Sequence, residues 1–506
     1  MGGEVQLVGA GPGDPGLLTR LGAKALGRAE VVIYDHLASS RLLALAPTGA
    51  TRIYVGKAIG RCAASQAEIN ALLVEHARLG RRVVRLKGGD PYVFGRGAEE
   101  VEYLRARGIA ARVVPGVTSG VGVTAYAGLA ITHRETASAV AFVTGHAESG
   151  PNRIDWTALA RFPGTLVIYM GATRIRAIGE ALIAGGMASN TPAAVVMSGT
   201  TPAQRTVVAP LADLADRATE SGIGPPALLV VGAVVDRRPL LNWFEDLPLF
   251  GRRIVVTRPE ADAGGSGLEL EALGAEVLEA PTVAIRLLDD FDALDRTIGR
   301  LREFDWLAFT SAHGVTHFLD RLDAVGLDLR AVGHLQLAAI GPSTAECLAE
   351  YRLRADVVPT SSRSEDLAEA LAPRVAGARI LLARADRGRD LLREVLEPIA
   401  HVEQVAAYRN VDAETIDPEV VRRLTEGSVD WVTLTSSAIA ERLHAILSKP
   451  ARARIGREIR VASIGPITSA TAAQLGWTVA VEASPSSWDG LVRGIVQAEA
   501  VQRSSR

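Results

Sequence analysis

The stretch Lys87-Gly88-Gly89-Asp90-Pro91-Tyr92-Val93-Phe94-Gly95-Arg96-Gly97 sets the fold class of this chain. It follows the apolar run Val83-Val84-Arg85-Leu86, which predicts a buried strand. It runs into Ala98-Glu99-Glu100-Val101-Glu102, which predicts a helix start. Four glycines in eleven residues would weaken any regular element, because glycine loses the most backbone freedom on folding. They suit a loop at a strand end that turns sharply and lies against a flat ligand. Asp90 supplies an acceptor for a ribose or amine group, and Arg96 a fixed cationic fork. An ordinary strand-to-helix loop is the plain alternative.

Upstream, the strand Val5-Gln6-Leu7-Val8 enters a second glycine loop, Gly9-Ala10-Gly11-Pro12-Gly13-Asp14-Pro15-Gly16. With Asp35 after the strand Val31-Val32-Ile33-Tyr34, it imitates a dinucleotide fingerprint. Pro12 opposes that reading by removing an N–H where a pyrophosphate needs donors. Asp14 opposes it by its charge. Downstream, Thr118 and Ser119 precede a predicted helix, where capping is the simpler role for Thr118. Thr132-His133-Arg134 and Thr144-Gly145-His146 bring base and cation near strand ends. Leu166-Val167-Ile168-Tyr169-Met170 is a buried strand ending in Met170, a residue type more often core than contact.

The whole sequence has 506 residues, which calls for two to four domains. β-rich runs alternate with helical patterns throughout, the mark of α/β domains. A net charge of −2 offers no nucleic-acid surface. No apolar run reaches membrane length and no signal peptide precedes Val5, so a cytoplasmic protein without membrane partners is expected. Two cysteines far apart in sequence, Cys62 and Cys347, argue against a disulfide framework or structural zinc, and no metal is expected.

From about residue 4 to 236 these loops together resemble uroporphyrinogen-III C-methyltransferases of the tetrapyrrole methylase family. The resemblance rests on Gly9–Gly16 with Leu17-Leu18-Thr19, Tyr34-Asp35, Val55-Gly56-Lys57, Lys87–Gly97 and Pro115–Ser119. It continues through Ala125-Tyr126-Ala127-Gly128, Thr132-His133-Arg134, Tyr169-Met170-Gly171 and Thr201-Pro202-Ala203-Gln204-Arg205. It implies two α/β lobes, S-adenosylmethionine as methyl donor, and a homodimer through this half. By motif it places Pro12, Gly88, Gly89, Asp90, Val93, Thr118, Ser119, Met170 and Gly199 around the donor. It makes Asp35 and Lys57 the proton-handling pair. A tetrapyrrole bearing many carboxylates needs cations, which Lys57, Arg96, His133 and Arg134 can supply. The stretch Lys57-Ala58-Ile59-Gly60-Arg61-Cys62-Ala63 departs from the family pattern by lacking a second basic residue and a histidine.

Residues 236–252 carry two prolines and clustered charge and read as a linker with aromatic anchors, set at 241–251. Beyond it the chain repeats. Asp305-Trp306-Leu307-Ala308-Phe309-Thr310-Ser311 returns as Asp430-Trp431-Val432-Thr433-Leu434-Thr435-Ser436. Ile340-Gly341-Pro342-Ser343-Thr344 returns as Ile464-Gly465-Pro466-Ile467-Thr468, and Gly251-Arg252-Arg253-Ile254 as Gly377-Ala378-Arg379-Ile380. One separation of about 125 residues serves all three, which signals an internal duplication and two similar lobes. Thr-Ser and Gly-Pro-x-Thr at strand ends aim helix N-termini at a cleft suited to carboxylates, although simple capping uses the same residues.

This half resembles uroporphyrinogen-III synthases through Val256-Thr257-Arg258-Pro259, Thr310-Ser311-Ala312, Ala383-Arg384, Tyr408-Arg409, Thr435-Ser436-Ser437 and Ile464-Gly465-Pro466 with Thr468. The resemblance implies closure of a linear hydroxymethylbilane with inversion of its last ring and without cofactor. Tyr408 is the side-chain candidate for helping the hydroxyl leave, with Arg258, Thr310, Ser311, Thr435, Ser436 and Thr468 around the substrate. The expected organisation is a two-lobed methyltransferase over 1–240 followed by a synthase over 252–500. The synthase lobes combine 252–284 with 411–500, and 285–410, although the repeat alone equally allows contiguous lobes. Two readings compete. A nicotinamide-dependent oxidoreductase is opposed by Pro12, Asp14 and the Lys87–Gly97 block. The other is a methylase for a different tetrapyrrole, fused to a non-catalytic tetrapyrrole-binding module.

Overall fold

The structure, a computed structural model, describes residues 3–56, 64–146, 154–258, 267–359, 363–388 and 390–504. It divides into two units, one of Met1–Arg252 with Leu273–Glu276, the other of Arg253–Ala272 with Val277–Arg506.

The first unit holds two five-stranded sheets. One contains β1 (Glu4–Gly9), β2 (Val31–Tyr34), β3 (Thr51–Tyr54), β4 (Val83–Lys87) and β5 (Ala110–Val114), in the order β3-β2-β4-β1-β5. Every pairing in it is parallel. Helices on both faces bury such a sheet, which is why its strands are near-continuous apolar runs. Two separate cores on its two faces show this, one around Leu7, Ile33 and Leu73, the other around Val8, Val32 and Leu86. The second sheet contains β6 (Val140–Thr144), β7 (Thr165–Tyr169), β8 (Pro192–Met197), β9 (Arg205–Pro210) and β10 (Ala227–Val231), ordered β6-β7-β10-β8-β9. Only β6 and β7 run parallel there.

The segment expected as a linker, 241–251, is instead anchored on this unit. Trp243 Nε1 donates to the Ala125 carbonyl at 3.0 Å, and Glu245 accepts from Gln204 at 2.9 Å. Tyr126 packs its ring edge-on against both Trp243 and Phe244. Three large aromatic surfaces bury better together than along an open tether.

The second unit continues with β11 (Arg253–Val256), β12 (Glu276–Glu279), β13 (Val283–Arg286), β14 (Trp306–Phe309), β15 (Gln336–Ala339), β16 (Arg379–Ala385), β17 (His401–Asp412), β18 (Trp431–Leu434), β19 (Arg460–Ser463) and β20 (Val479–Glu482). They form sheets ordered β12-β11-β18-β19-β20 and β13-β17-β16-β14-β15. The lobes therefore interchange segments: the chain leaves the first after β12, builds the second, and returns after β17. The duplication is legible in the strand order, since β12-β11-β18-β19 corresponds to β17-β16-β14-β15. It reaches individual bonds. Asp305 accepts from Arg379 N at 2.8 Å, and Asp430 accepts from Arg253 N at the same distance. No helix among the described residues is long and apolar enough to cross a membrane.

Candidate active sites

In the first unit three strand ends converge. Gly11 N donates to the Gly89 carbonyl at 3.2 Å and Gly89 N to that of Gly11 at 2.7 Å, joining the two glycine loops. Gly89 has φ +67°, a left-handed conformation that glycine alone adopts without strain. At Gly116, after β5, a Cβ would overlap the Gly89 carbonyl and Gly9, so three backbones pass at contact distance. Asp90 closes this junction from both sides. Its carboxylate accepts from Gly116 N at 3.0 Å and from Tyr92 N at 2.8 Å. The acceptor that the sequence assigned to a ribose or amine is thus a pin between the β4 and β5 loops.

The helix Ser119–Tyr126 joins this junction to the second sheet. Thr118 stands at its N-cap position without a capping bond, contrary to the simple expectation. Its hydroxyl lies 2.8 Å from that of Tyr169, which also accepts from Gly120 N at 2.7 Å. A Cβ at Gly122 would press on Pro12, and one at Gly199 would overlap Val123. Asp14 N donates to Thr200 Oγ1 at 3.0 Å, and Tyr126 OH donates to Asp14 at 2.7 Å. Burial first, and then Asp14, pushes the Tyr126 phenol well up from its ordinary value. Among the described residues six non-glycines have positive φ, and five of them belong here: Phe94, Arg96, Met170, Ser198 and Thr200. Such strain gathers at functional sites.

A cleft of about 290 Å³ opens beside Tyr92, Phe94, Arg96, Glu99, Thr144 and Met170. Met170 is half exposed, and the Phe94 ring lies 4.9 Å from that of Tyr169. Arg96 is paired with Glu99 at 2.6 Å, so its fork is engaged, and Arg96 holds the Glu99 carboxyl below the usual range. Gly88 abuts Leu37, Val93 packs on the second sheet's core, and Ser119 opens the helix beside Gly89. His133 and Arg134 occupy a turn of their own, where His133 Nδ1 accepts from Glu135 N at 3.2 Å. Lys57 and the divergent stretch to Ala63 lie outside the described residues.

At the end of β2 the Asp35 carboxylate accepts from Arg85 at 2.9 Å and from Leu37 N at 3.1 Å. Arg85 and Lys87 are charged residues inside a buried strand, and both meet Glu100, which has no exposed surface. Burial, ahead of the repulsion from Arg85, holds the Lys87 ammonium below its ordinary value despite that partner.

In the second unit Ser311 Oγ accepts from Gly314 N at 2.9 Å at the start of the helix Ala312–Ala324, and lies 3.0 Å from Tyr408 OH. The Tyr408 ring is 5% exposed, stacked on His317 with His313 edge-on. Burial, reinforced by His313, holds His317 below its ordinary value. Ser436 repeats the cap, accepting from Ile439 N at 3.2 Å. Thr310 and Thr435 are half-buried beside these caps. Arg258 lies 5.4 Å over the Trp488 ring. Thr468, like its counterpart Thr344, is buried in its helix.

The family profile described as Tetrapyrrole (Corrin/Porphyrin) Methylases matches residues 4–215, and that described as Uroporphyrinogen-III synthase HemD matches 268–493. The porphyrin biosynthesis protein HemD of Ruminiclostridium josui is 37% identical over 442 residues, covering 87% of this chain and 88% of its own. The chain belongs to that family. It is a tetrapyrrole methylase fused to a uroporphyrinogen-III synthase-type domain. A siroheme synthase of Thiobacillus denitrificans is 46% identical over 279 residues, 55% of this chain and 54% of its own, so the chain spans about half the length of such relatives. A crystal structure of uroporphyrin-III C-methyl transferase from Thermus thermophilus, complexed with S-adenyl homocysteine, is 44% identical. It covers 46% of this chain and 93% of its own, with a TM-score of 0.39.

In the methylase unit, sequence reasoning missed Arg85, Glu100, Tyr126 and Tyr169. Arg85 did carry a signal, since a guanidinium midway along a central parallel strand must find a buried partner. Tyr169 stood only within a family motif, with no sign of its duty, because its hydroxyl meets Thr118 and Gly120 N at a helix start distant in sequence.

Proposed function

We propose that the methylase unit transfers methyl groups from S-adenosylmethionine to uroporphyrinogen III, twice, giving precorrin-2. The synthase unit closes hydroxymethylbilane to uroporphyrinogen III with inversion of ring D. One observation carries the reading: two families share one chain, and the product of the second is the substrate of the first. The chain's place is then the cytoplasm, upstream of sirohaem or cobalamin.

The donor would take the cleft of about 290 Å³ lined by Tyr92, Phe94, Thr144 and the half-exposed Met170, at the end of the Lys87–Gly97 loop. When bound it supplies an electrophilic methyl on a sulfonium. Around it Asp90 fixes two loops, and Tyr169 holds the Thr118 hydroxyl and the helix start. Positioning is the main catalytic demand when a ring carbon attacks such a methyl in line. The Asp35 carboxylate, held by Arg85 and Leu37 N, accepts the proton released from the methylated ring.

The experiment supplies the whole protein with hydroxymethylbilane, with and without methyl donor. Uroporphyrinogen III without donor and a dimethylated product with it are expected. Formation of only the type I isomer overturns the synthase assignment, and unmethylated type III product with donor present overturns the methylase assignment.

A further inference from the structure

Glu100 is the hub of a buried network that the proposed chemistry does not use. Its Oε1 accepts from Lys87 Nζ at 2.9 Å and Gln66 Nε2 at 3.1 Å, and lies 3.4 Å from Arg85 Nε. Arg85 also donates to the Asp35 carboxylate, to the Leu86 carbonyl at 2.9 Å, and at 3.4 Å to that of Ile33. Arg85, Lys87 and Glu100 are each 5% exposed or less, whereas the Asp35 side chain is 28% exposed. Thus the network reaches solvent at the half-buried Gln66 and at the carboxylate at the tip of β2.

As a stabilising device this arrangement is poor. Glu100 Oε2 is buried without a hydrogen-bond partner among the described residues, and ion pairs this deep repay little of their desolvation. As a positioning device it is well placed. Lys87 is the last residue of β4 before Gly88, Gln66 starts the helix Gln66–Arg78, and Glu100 rides on the helix that closes the Lys87–Gly97 loop. Asp35 ends β2. The single oxygen Oε1 therefore ties the donor-side loop to the guanidinium that aims Asp35.

We propose that Arg85, locked by Glu100, is the positioning residue for the Asp35 carboxylate in methyl transfer, so that donor loop and proton acceptor are set by one buried network. This rests on the methylase reading above, with Asp35 as acceptor.

The test measures methyl transfer to uroporphyrinogen III by the whole chain, together with melting temperature and S-adenosylhomocysteine affinity by calorimetry. Glu100→Gln keeps the accepting oxygen and the shape, and Arg85→Lys keeps the charge while losing the fork. Arg85→Met loses both. Arg85→Met should lower kcat by about a hundredfold, the low end for a displaced acid–base group, with KM and ligand affinity within a few-fold. Arg85→Lys and Glu100→Gln should recover part of that loss, and either serves if Arg85→Met does not fold. In the Asp35→Asn background the Arg85 substitutions should add nothing, because residues acting as a unit are not additive. Additive losses, or a raised KM at unchanged kcat, overturn the inference while leaving the methylase reading intact. Full activity of Asp35→Asn, or no methylation by the unaltered protein, overturns the acceptor or methylase reading and this inference with it.

Discussion

The Ser311 hydroxyl pairs with that of Tyr408, and either can be the donor. Its oxygen accepts from Gly314 N and has Tyr408 OH at 3.0 Å, so if the phenol donates inward, the serine O–H points elsewhere. Tyr408 itself is buried between two histidines. In that arrangement Ser311, with Tyr408 behind it, would be the donor to the hydroxyl that leaves in the proposed ring closure. Ser311→Ala should slow ring closure by about a hundredfold or more, the scale of a lost oxyanion-type donor, and Tyr408→Phe by less. Ring-closure rates of the two variants decide it, and a greater loss in Tyr408→Phe returns the role to the phenol. At this scale the sequence told residue type better than residue duty. Asp90 was legible as a carboxylate in a ligand loop, yet its oxygens serve Gly116 N and Tyr92 N, and Thr118 was legible as a cap yet serves Tyr169. Both outcomes depend on partners distant in sequence, which local pattern does not encode.

Among the elements, the helix Ser119–Tyr126 meets more of the methylase site than any loop. It touches Pro12 through Gly122, Tyr169 through Gly120 and Gly199 through Val123. Its glycines leave room for neighbours that approach to contact distance. Gly199→Ala should therefore destabilise the unit by about 1–3 kcal/mol, the usual cost of overpacking, and weaken S-adenosylhomocysteine binding. Val123→Ala in the same chain should restore much of both, because it removes the atoms that the new methyl meets. Thermal unfolding of the single and double variants checks this, and strictly additive losses would falsify the contact. The elements were well marked in sequence where apolar runs ended in glycine loops, since burial on both faces demands such runs. Pairing was not: the antiparallel β7-β10-β8 order follows from packing across the sheet rather than from any one strand.

The whole molecule is two units, and the first is larger than its motifs suggest. Leu249 has no exposed surface, and the Phe250 ring lies 5.3 Å from that of Phe244. A fragment ending at 252 should melt above one ending at 245, because it regains the ring contact of Phe250 with Phe244. Equal melting temperatures would show that residues 246–252 add nothing to this unit. The duplication was readable because one separation governed three matches, whereas segment interchange was expected only from the family resemblance, since a repeat fixes likeness and leaves connection open. That interchange carries a consequence for biosynthesis. Ile254 pairs with Trp431, and strand β11 lies between β12 and β18, so its inner neighbour emerges from the ribosome only after the entire 283–412 lobe. That lobe can condense as a local unit during translation, while β11 waits with an apolar edge unpaired. Long-range pairing of this kind is slow and leaves strand edges open to other chains. Pausing translation before residue 431 should therefore leave a folded inner lobe tethered to a sticky amino-terminal strand, which makes nascent β11 a natural place for a chaperone to hold.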